Sequence, residues 1–228
     1  MRKLTLTAAA AALLFAATSC NNATNSDTAQ TDTAKTAAVA TGKEYTADVA
    51  ASVIKWRGVH KGGMNPRYGT LNITNGTISV DNGKVTGGSF DVDLNSLKVD
   101  STSVGSGEGK KPSDLEGHLK SPDFFDVAKY PTAKFVITGV DAFDAAKDKS
   151  LLEGATNMVS GNLTLKDKTL NIKFPAKIAV ADNGVSVEAK FTVDRTSWGL
   201  NYKAEGDPAN WIISKDFELD INLKAVQK

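Results

Sequence analysis

The sequence predicts an all-β domain built from antiparallel strands, and three observations carry the prediction. From Glu44 to the C-terminus, short stretches alternate apolar and polar residues with a period of two, the pattern of strands with one buried face. Turn signals fall between those stretches at hairpin spacing: Asp81-Asn82-Gly83, Lys166-Asp167-Lys168 and Asp182-Asn183-Gly184. One short region near Leu115 reads as helical instead. A sandwich and a closed barrel give the same alternation, so the pattern leaves that choice open.

The N-terminus reads as an address. Met1-Arg2-Lys3 is basic, and Leu4 to Ala17 is apolar but too short to span a membrane. Ala17-Thr18-Ser19 precedes Cys20, the chain's single cysteine. Small residues before a lone cysteine resemble a bacterial lipobox, although Ala17 stands where leucine is common. Residues 1–19 are therefore expected to be a signal peptide and Cys20 a lipidation site, with an ordinary secretory signal as the other reading. Asn21, not aspartate, follows Cys20, which favours the outer membrane over the inner one, facing the periplasm or the cell surface. Asn21 to Gly42 holds Val39 as its one large apolar residue. Such a stretch has too little to bury to offset its ordering entropy, and residues 20–43 are expected to form a disordered tether.

The domain is expected over 44–228. Ile54, Trp56 and Gly58 alternate with Lys55, Arg57 and Val59 as a first strand, and a basic glycine-rich loop follows over 60–67. Gly69 to Val80 is a strand with a turn or bulge at Asn75-Gly76, and Lys84 to Leu94 returns from it. Asp100 to Lys111 is a Ser/Gly/Lys connector. It lacks the Lys-Ser or Lys-Thr end of a phosphate-binding loop. Strands then read from Ala133 to Val140, Asn157 to Leu165, Thr169 to Phe174, Lys177 to Ala181, Val185 to Val193 and Ile213 to Ala225, with 141–155 a loop.

Between them lies the helical region. Ser113 and Glu116 have capping-box spacing, and Leu115 and Leu119 share a face. Ser121-Pro122 reads as an N-cap and first residue of a second short helix, with Asp123 in its first turn, and Tyr130-Pro131 stops it. Gly117-His118-Leu119-Lys120-Ser121-Pro122-Asp123-Phe124-Phe125-Asp126, then Lys129-Tyr130-Pro131 and Phe135, resembles the signature of YceI-like proteins. Trp56-Arg57-Gly58, Phe90-Asp91-Val92-Asp93 with Ser96, and Arg195-Thr196-Ser197-Trp198-Gly199 are similar to further segments of that family. The resemblance implies a lipocalin-like antiparallel β-barrel of about eight strands with one or two short helices. It also implies an exported protein that binds a polyisoprenoid lipid. A barrel of that size holds one slender apolar ligand.

Composition excludes several classes. The net charge is +1 over 228 residues, so no electrostatic footprint marks a nucleic-acid partner. One cysteine and two histidines leave no basis for an intrachain disulfide or a thiolate metal site, and no cofactor is indicated. No nucleophile elbow, zinc-protease motif or dinucleotide fingerprint occurs. His118 with Asp114 four residues earlier has the spacing of a base and its orienter, but no nucleophile accompanies them. Packing or capping of the helix is the plainer role for His118, and no residue is assigned a catalytic one.

The candidate ligand-binding residues are Trp56, Phe90, His118, Phe124, Phe125, Phe135, Trp198 and Arg67. Inward-facing aromatics mean the same thing in a filled barrel and an open one, so core packing stands beside ligand contact for each. Arg57, His60, Lys61, Arg67 and Lys120 are the candidates for a basic rim that suits a phosphate or carboxylate head. The expected function is sequestration of an isoprenoid-type lipid, a polyprenyl chain or a quinone, by an envelope protein held through an N-terminal lipid anchor. The rival is a partner-binding envelope protein with a filled barrel, and a homodimer is compatible with either.

Overall fold

The computed structural model describes residues 26–60, 63–105, 111–204 and 212–227. Cys20, the signal-like start, Lys61 and residues 106–110 of the Ser/Gly/Lys connector lie outside the described residues. Strands β1 (Asp27–Thr28), β2 (Gln30–Thr33), β3 (Lys43–Ala47), β4 (Val53–His60), β5 (Arg67–Asp81) and β6 (Lys84–Val99) come first. Helix α1 (Pro112–Lys120) follows, then β7 (Thr132–Ala142), β8 (Asn157–Leu165), β9 (Lys168–Ala181), β10 (Gly184–Asp194) and β11 (Ile213–Val226).

Strands β4 to β11 close into an eight-stranded antiparallel barrel. Each pairs with the next, and β11 returns to β4 with Leu219 opposite Trp56 and Ile221 opposite Ile54. Closure is the physical answer to the choice the alternation left open, because it removes the unpaired edges of a sandwich. β3 lengthens the β4 side of the wall, bridging β5 at Val80 and β11 at Ala225. The chain leaves the wall between β3 and β4 in a turn where the Asp48 carboxylate accepts the N–H groups of Ala50 and Ala51, each at 3.1 Å.

Four expectations need correction. The two strands expected at 169–174 and 177–181 are one, β9. Pro175 lies inside it, opposite Met158 of β8. β9 pairs with β2 up to Lys173 and with β10 from Lys177. Between those points it has a partner on one side only, and a residue without an N–H fits there. The second short helix is a pair of turns, 122–125 and 127–129. The Ser113–Glu116 capping box does not form, because the helix begins two residues earlier, with Lys111 as its N-cap and Pro112 at its first position. Asp114 takes the Lys111 N–H at 3.1 Å, and Glu116 reaches back to the Val99 N–H of β6 at 3.0 Å.

The fourth correction concerns the expected tether. Residues 26–42 have defined places along the outside of the barrel. They pair with β10 and β9 as β1 and β2, then cross β8, β7 and β6 toward β5. Lys35 exchanges two hydrogen bonds with the Asn162 amide, at 3.0 and 2.6 Å. The Ala38 N–H takes the carbonyl of Ile137 at 3.0 Å, beside the bulge in β7 that disturbs the ladder there. Thr41 pairs both ways with the Thr86 hydroxyl, at 3.1 and 2.7 Å. The stretch is held by backbone groups and small side chains, so its poverty in apolar residues does not leave it without partners.

Candidate ligand-binding site

The barrel encloses a cavity of about 470 Å³, within the range of small-molecule sites. Residues from all eight barrel strands line it, as do α1 and the turn after it. The wall is apolar because each strand sends every second side chain inward. Phe90, Phe135, Leu163, Val187, Phe217 and Leu219 all line the lumen and are only half-buried. Their uncovered surface faces the internal space.

Two glycines shape that space. A Cβ on Gly76 would lie 2.3 Å from the ring of Phe90, and one on Gly161 would lie 2.1 Å from the ring of Phe135. Each ring therefore occupies the space over a glycine on a neighbouring strand. Elsewhere Phe174 and Phe191 stack at 4.0 Å, and Trp56 and Phe217 at 6.0 Å.

The helix end of the barrel carries the polar groups. The Ser121 hydroxyl and N–H both cap the carbonyl of His118, at 2.8 and 3.1 Å, and end α1. The following turn folds back, Phe125 N–H to Leu119 O at 3.1 Å and Val127 N–H to Lys120 O at 3.0 Å, and tucks Phe124 and Phe125 inward. His118 meets Phe124 at 5.2 Å and Tyr202 at 4.7 Å, edge to face. Its Nδ1 stands 3.9 Å from the Asp123 carboxylate. The pairing with Asp114 is not made, since that carboxylate caps the helix.

Arg195 is buried beneath this cluster. It donates to the carbonyls of Ser214, Tyr202 and Ile213, each at 3.0 Å, and to that of Leu200. It thus ties the segment after β10 to the start of β11. Burial pushes its pKa down from the ordinary value. His60, Arg67 and Lys203 also line the cavity here, with Asp216 as a carboxylate among them. Loss of solvent, and then the charges of Arg67 and Lys203, lower the pKa of His60. Burial raises that of Asp216.

Seven of the eight sequence candidates line this cavity: Trp56, Phe90, His118, Phe124, Phe125, Phe135 and Arg67. Trp198 does not. It is buried in the wall and donates its indole N–H to the Leu163 carbonyl at 3.1 Å. Of the rim candidates, His60 and Arg67 line the cavity, whereas Arg57 and Lys120 do not. Arg195, Tyr202 and Lys203 were absent from the candidates. The Arg-Thr-Ser-Trp-Gly segment signalled the first, and nothing in the pattern signalled the other two.

Residues 45–225 match the YceI-like domain. The chain belongs to this family. A UPF0312 protein of Staphylococcus aureus (strain N315) is 26% identical over 141 residues, 58% of this chain and 73% of that protein. A UPF0312 protein of Pseudomonas savastanoi pv. phaseolicola is 34% identical over 122 residues, 51% of this chain and 55% of that one. Among solved structures, Burkholderia cenocepacia BcnA matches with a TM-score of 0.55 at 17% identity, over 79% of this chain and 99% of its own. A polyisoprenoid binding domain from Saccharophagus degradans, implicated in plant cell wall breakdown, matches with a TM-score of 0.50 at 15% identity, over 81% of this chain and 98% of its own. At these identities the likeness is one of fold. In this YceI-like domain the segment from Gly117 to Asp126, which carried the resemblance, is the helix and turn at the polar end of the lumen.

Proposed function

We propose that this protein is an exported, lipid-anchored binding protein that sequesters an isoprenoid-type lipid in its lumen. The observation that carries the reading is the hollow apolar interior of about 470 Å³. The neighbour from Saccharophagus degradans, a polyisoprenoid binding domain of the same fold, supports it. Affinity would come from burial, about 0.8 kcal/mol for each methylene taken from water. A long apolar chain then needs no directional contact along its length. The polar end, with His60, Arg67 and Lys203, suits a phosphate or carboxylate head. The open lumen argues against the rival reading, which required a filled barrel. Lipidation at Cys20 and an outer-membrane address remain parts of the proposal, carried by the lipobox-like sequence.

Native mass spectrometry of the full chain, before and after mild denaturation, tests the ligand. A discrete mass released on denaturation is expected, and its fragmentation gives the lipid class. A bare polypeptide mass together with no uptake of a dansyl-labelled farnesol would sink the reading. Metabolic labelling with palmitate tests the anchor, and the label is expected to vanish in Cys20→Ala.

A further inference from the structure

The barrel wall has a seam. β9 and β10 are joined only over 177–181 and 184–188. Beyond Lys177 and Glu188 they part toward the helix end, and Pro175 stands where β9 leaves its partner. Without an N–H it cannot extend a ladder at that point. The N-terminal segment fills the opening. Asp27 and Thr28 pair in parallel with Phe191 and Thr192 of β10. Gln30 to Thr33 then pair antiparallel with Lys173 to Leu170 of β9. The chain changes lips at Ala29, whose N–H bonds the Thr192 carbonyl at 2.8 Å. Ala29 is 5% exposed and packs in one cluster with Ile172, Phe174, Phe191 and Val193. All four of those residues line the cavity.

We propose that this seam is a lateral portal for the lumen ligand and that residues 26–33 are its removable closure. The proposal rests on the lipid-sequestering reading above. The closure is held differently from the rest of the wall. The side chains of Gln30 to Thr33 are all exposed, and Ala29 is the one buried apolar residue of the segment. Its ties are hydrogen bonds: Ser26 to the Glu218 carboxylate at 2.8 Å, and the Asp27 carboxylate accepting from the Leu151 N–H and the Ser150 hydroxyl, each at 2.9 Å. A segment with few buried apolar contacts opens locally before the barrel around it does. The seam also runs up to the polar end, where β9 begins at Lys168 and β10 ends at Asp194. A chain-like ligand can therefore leave sideways while its head stays at the rim, without threading its whole length through one end. Cys20 precedes Ser26 by six positions, a reach of at most about 20 Å. A lipid on that cysteine would hold the seam close to the bilayer from which such a ligand comes.

Two locks test the portal, each in the full chain carrying Cys20→Ser. Gln30→Cys with Lys173→Cys ties the segment to β9, across a directly opposed pair. Opposed residues of an antiparallel pair lie within disulfide reach. Thr28→Cys with Thr192→Cys ties it to β10, where the two hydroxyls are 3.3 Å apart. Uptake and release of dansyl-labelled farnesol are followed by stopped flow, oxidised and reduced. At least one lock is expected to slow both rates tenfold or more when oxidised, with Kd unchanged and the rates restored on reduction, as a gate on the path requires. Unchanged rates in both oxidised variants, with the probe still binding, would overturn the portal and leave the helix end as the route. No binding by the wild-type chain, with a bare polypeptide mass in native mass spectrometry, would overturn the lipid-sequestering reading and the portal with it.

Discussion

Arg195→Met should unfasten the polar end of the barrel. Arg195 is 5% exposed, and its guanidinium donates to four carbonyls, those of Leu200, Tyr202, Ile213 and Ser214. Its plane also lies over Phe124, 5.8 Å from the ring centre. Methionine keeps much of the stem and removes every donor. Hydrogen bonds from a charged donor are worth about 1.5–3 kcal/mol each, and burying the charge costs several kcal/mol in return. The expected net loss is about 3–5 kcal/mol, a large share of the roughly 5–15 kcal/mol that holds a domain folded. Urea unfolding gives the number from the midpoint and slope, and near-UV circular dichroism should show Tyr202 and Phe124 losing their fixed setting. Arg195→Lys keeps the charge but offers three donors at one point, too few to reach four carbonyls, so it should recover less than half of the loss. A loss below about 1 kcal/mol for Arg195→Met at unchanged slope would refute the clamp, since it is less than one such bond.

Gly161→Ala should swing the Phe135 ring into the lumen, because the new methyl would lie 2.1 Å from it and the ring has open space on its other side. Stability should fall by about 1 kcal/mol, the low end of overpacking, while affinity for dansyl-labelled farnesol drops about tenfold, and an unchanged Kd would show that the glycine does not hold the ring clear. His60 has its pKa lowered in the folded state, by loss of solvent and by Arg67 and Lys203. As pH falls below about 6.5 the unfolded chain takes up the proton first. Stability should therefore be full above that pH and decline toward the folded pKa, and the slope between pH 7 and 5 should flatten in His60→Gln. Asn162→Ala removes the amide that bonds Lys35 both ways. Hydrogen exchange at residues 34–38 should quicken tenfold or more while the urea midpoint reports a loss of no more than about 1 kcal/mol.

The strands were legible where one face is wet and one is dry. Phe90-Asp91-Val92-Asp93 and Phe217 to Leu223 announce their inward residues by alternation alone, and the structure places those residues on the lumen. The strand that misled is β9, expected as two strands, 169–174 and 177–181, on either side of Pro175. Only the neighbouring pairing shows that the ladder on that side had already ended. The N-terminal segment misled more deeply. Its fit depends on what lies opposite: Ala29 in the seam, Ala40 against Gly87, Lys35 on the Asn162 amide. None of these partners is near in sequence, and no periodicity marks a chain that crosses strands instead of running with them. His118 and Phe124 were legible as site residues, but their company was not. Tyr202 and Arg195 come to them from the far end of β10.

The question alternation could not decide is whether the barrel is filled, and two residue pairs decide it. A small barrel whose inward positions are all large closes on itself like any core, at crystal-like density. Here the large rings are given somewhere else to go. Phe90 lies over Gly76 and Phe135 over Gly161, each taking the space that a neighbouring side chain would have filled. A ring that covers a glycine is a device that stabilises strands, and the space it takes over the glycine is space it does not take from the lumen. Ala133 and Ala189 line the same lumen as small inward residues on β7 and β10. The remaining apolar surface of Leu163, Val187, Phe217 and Leu219 faces the lumen and leaves them half-buried. Leaving that surface uncovered forgoes about 25 cal/mol for each Å². A chain that packs Phe191, Leu94 and Ile172 to near-complete burial in the same wall can fill space when its residues allow. The hollow is thus written in the glycines, and it gains stability when an apolar chain occupies it.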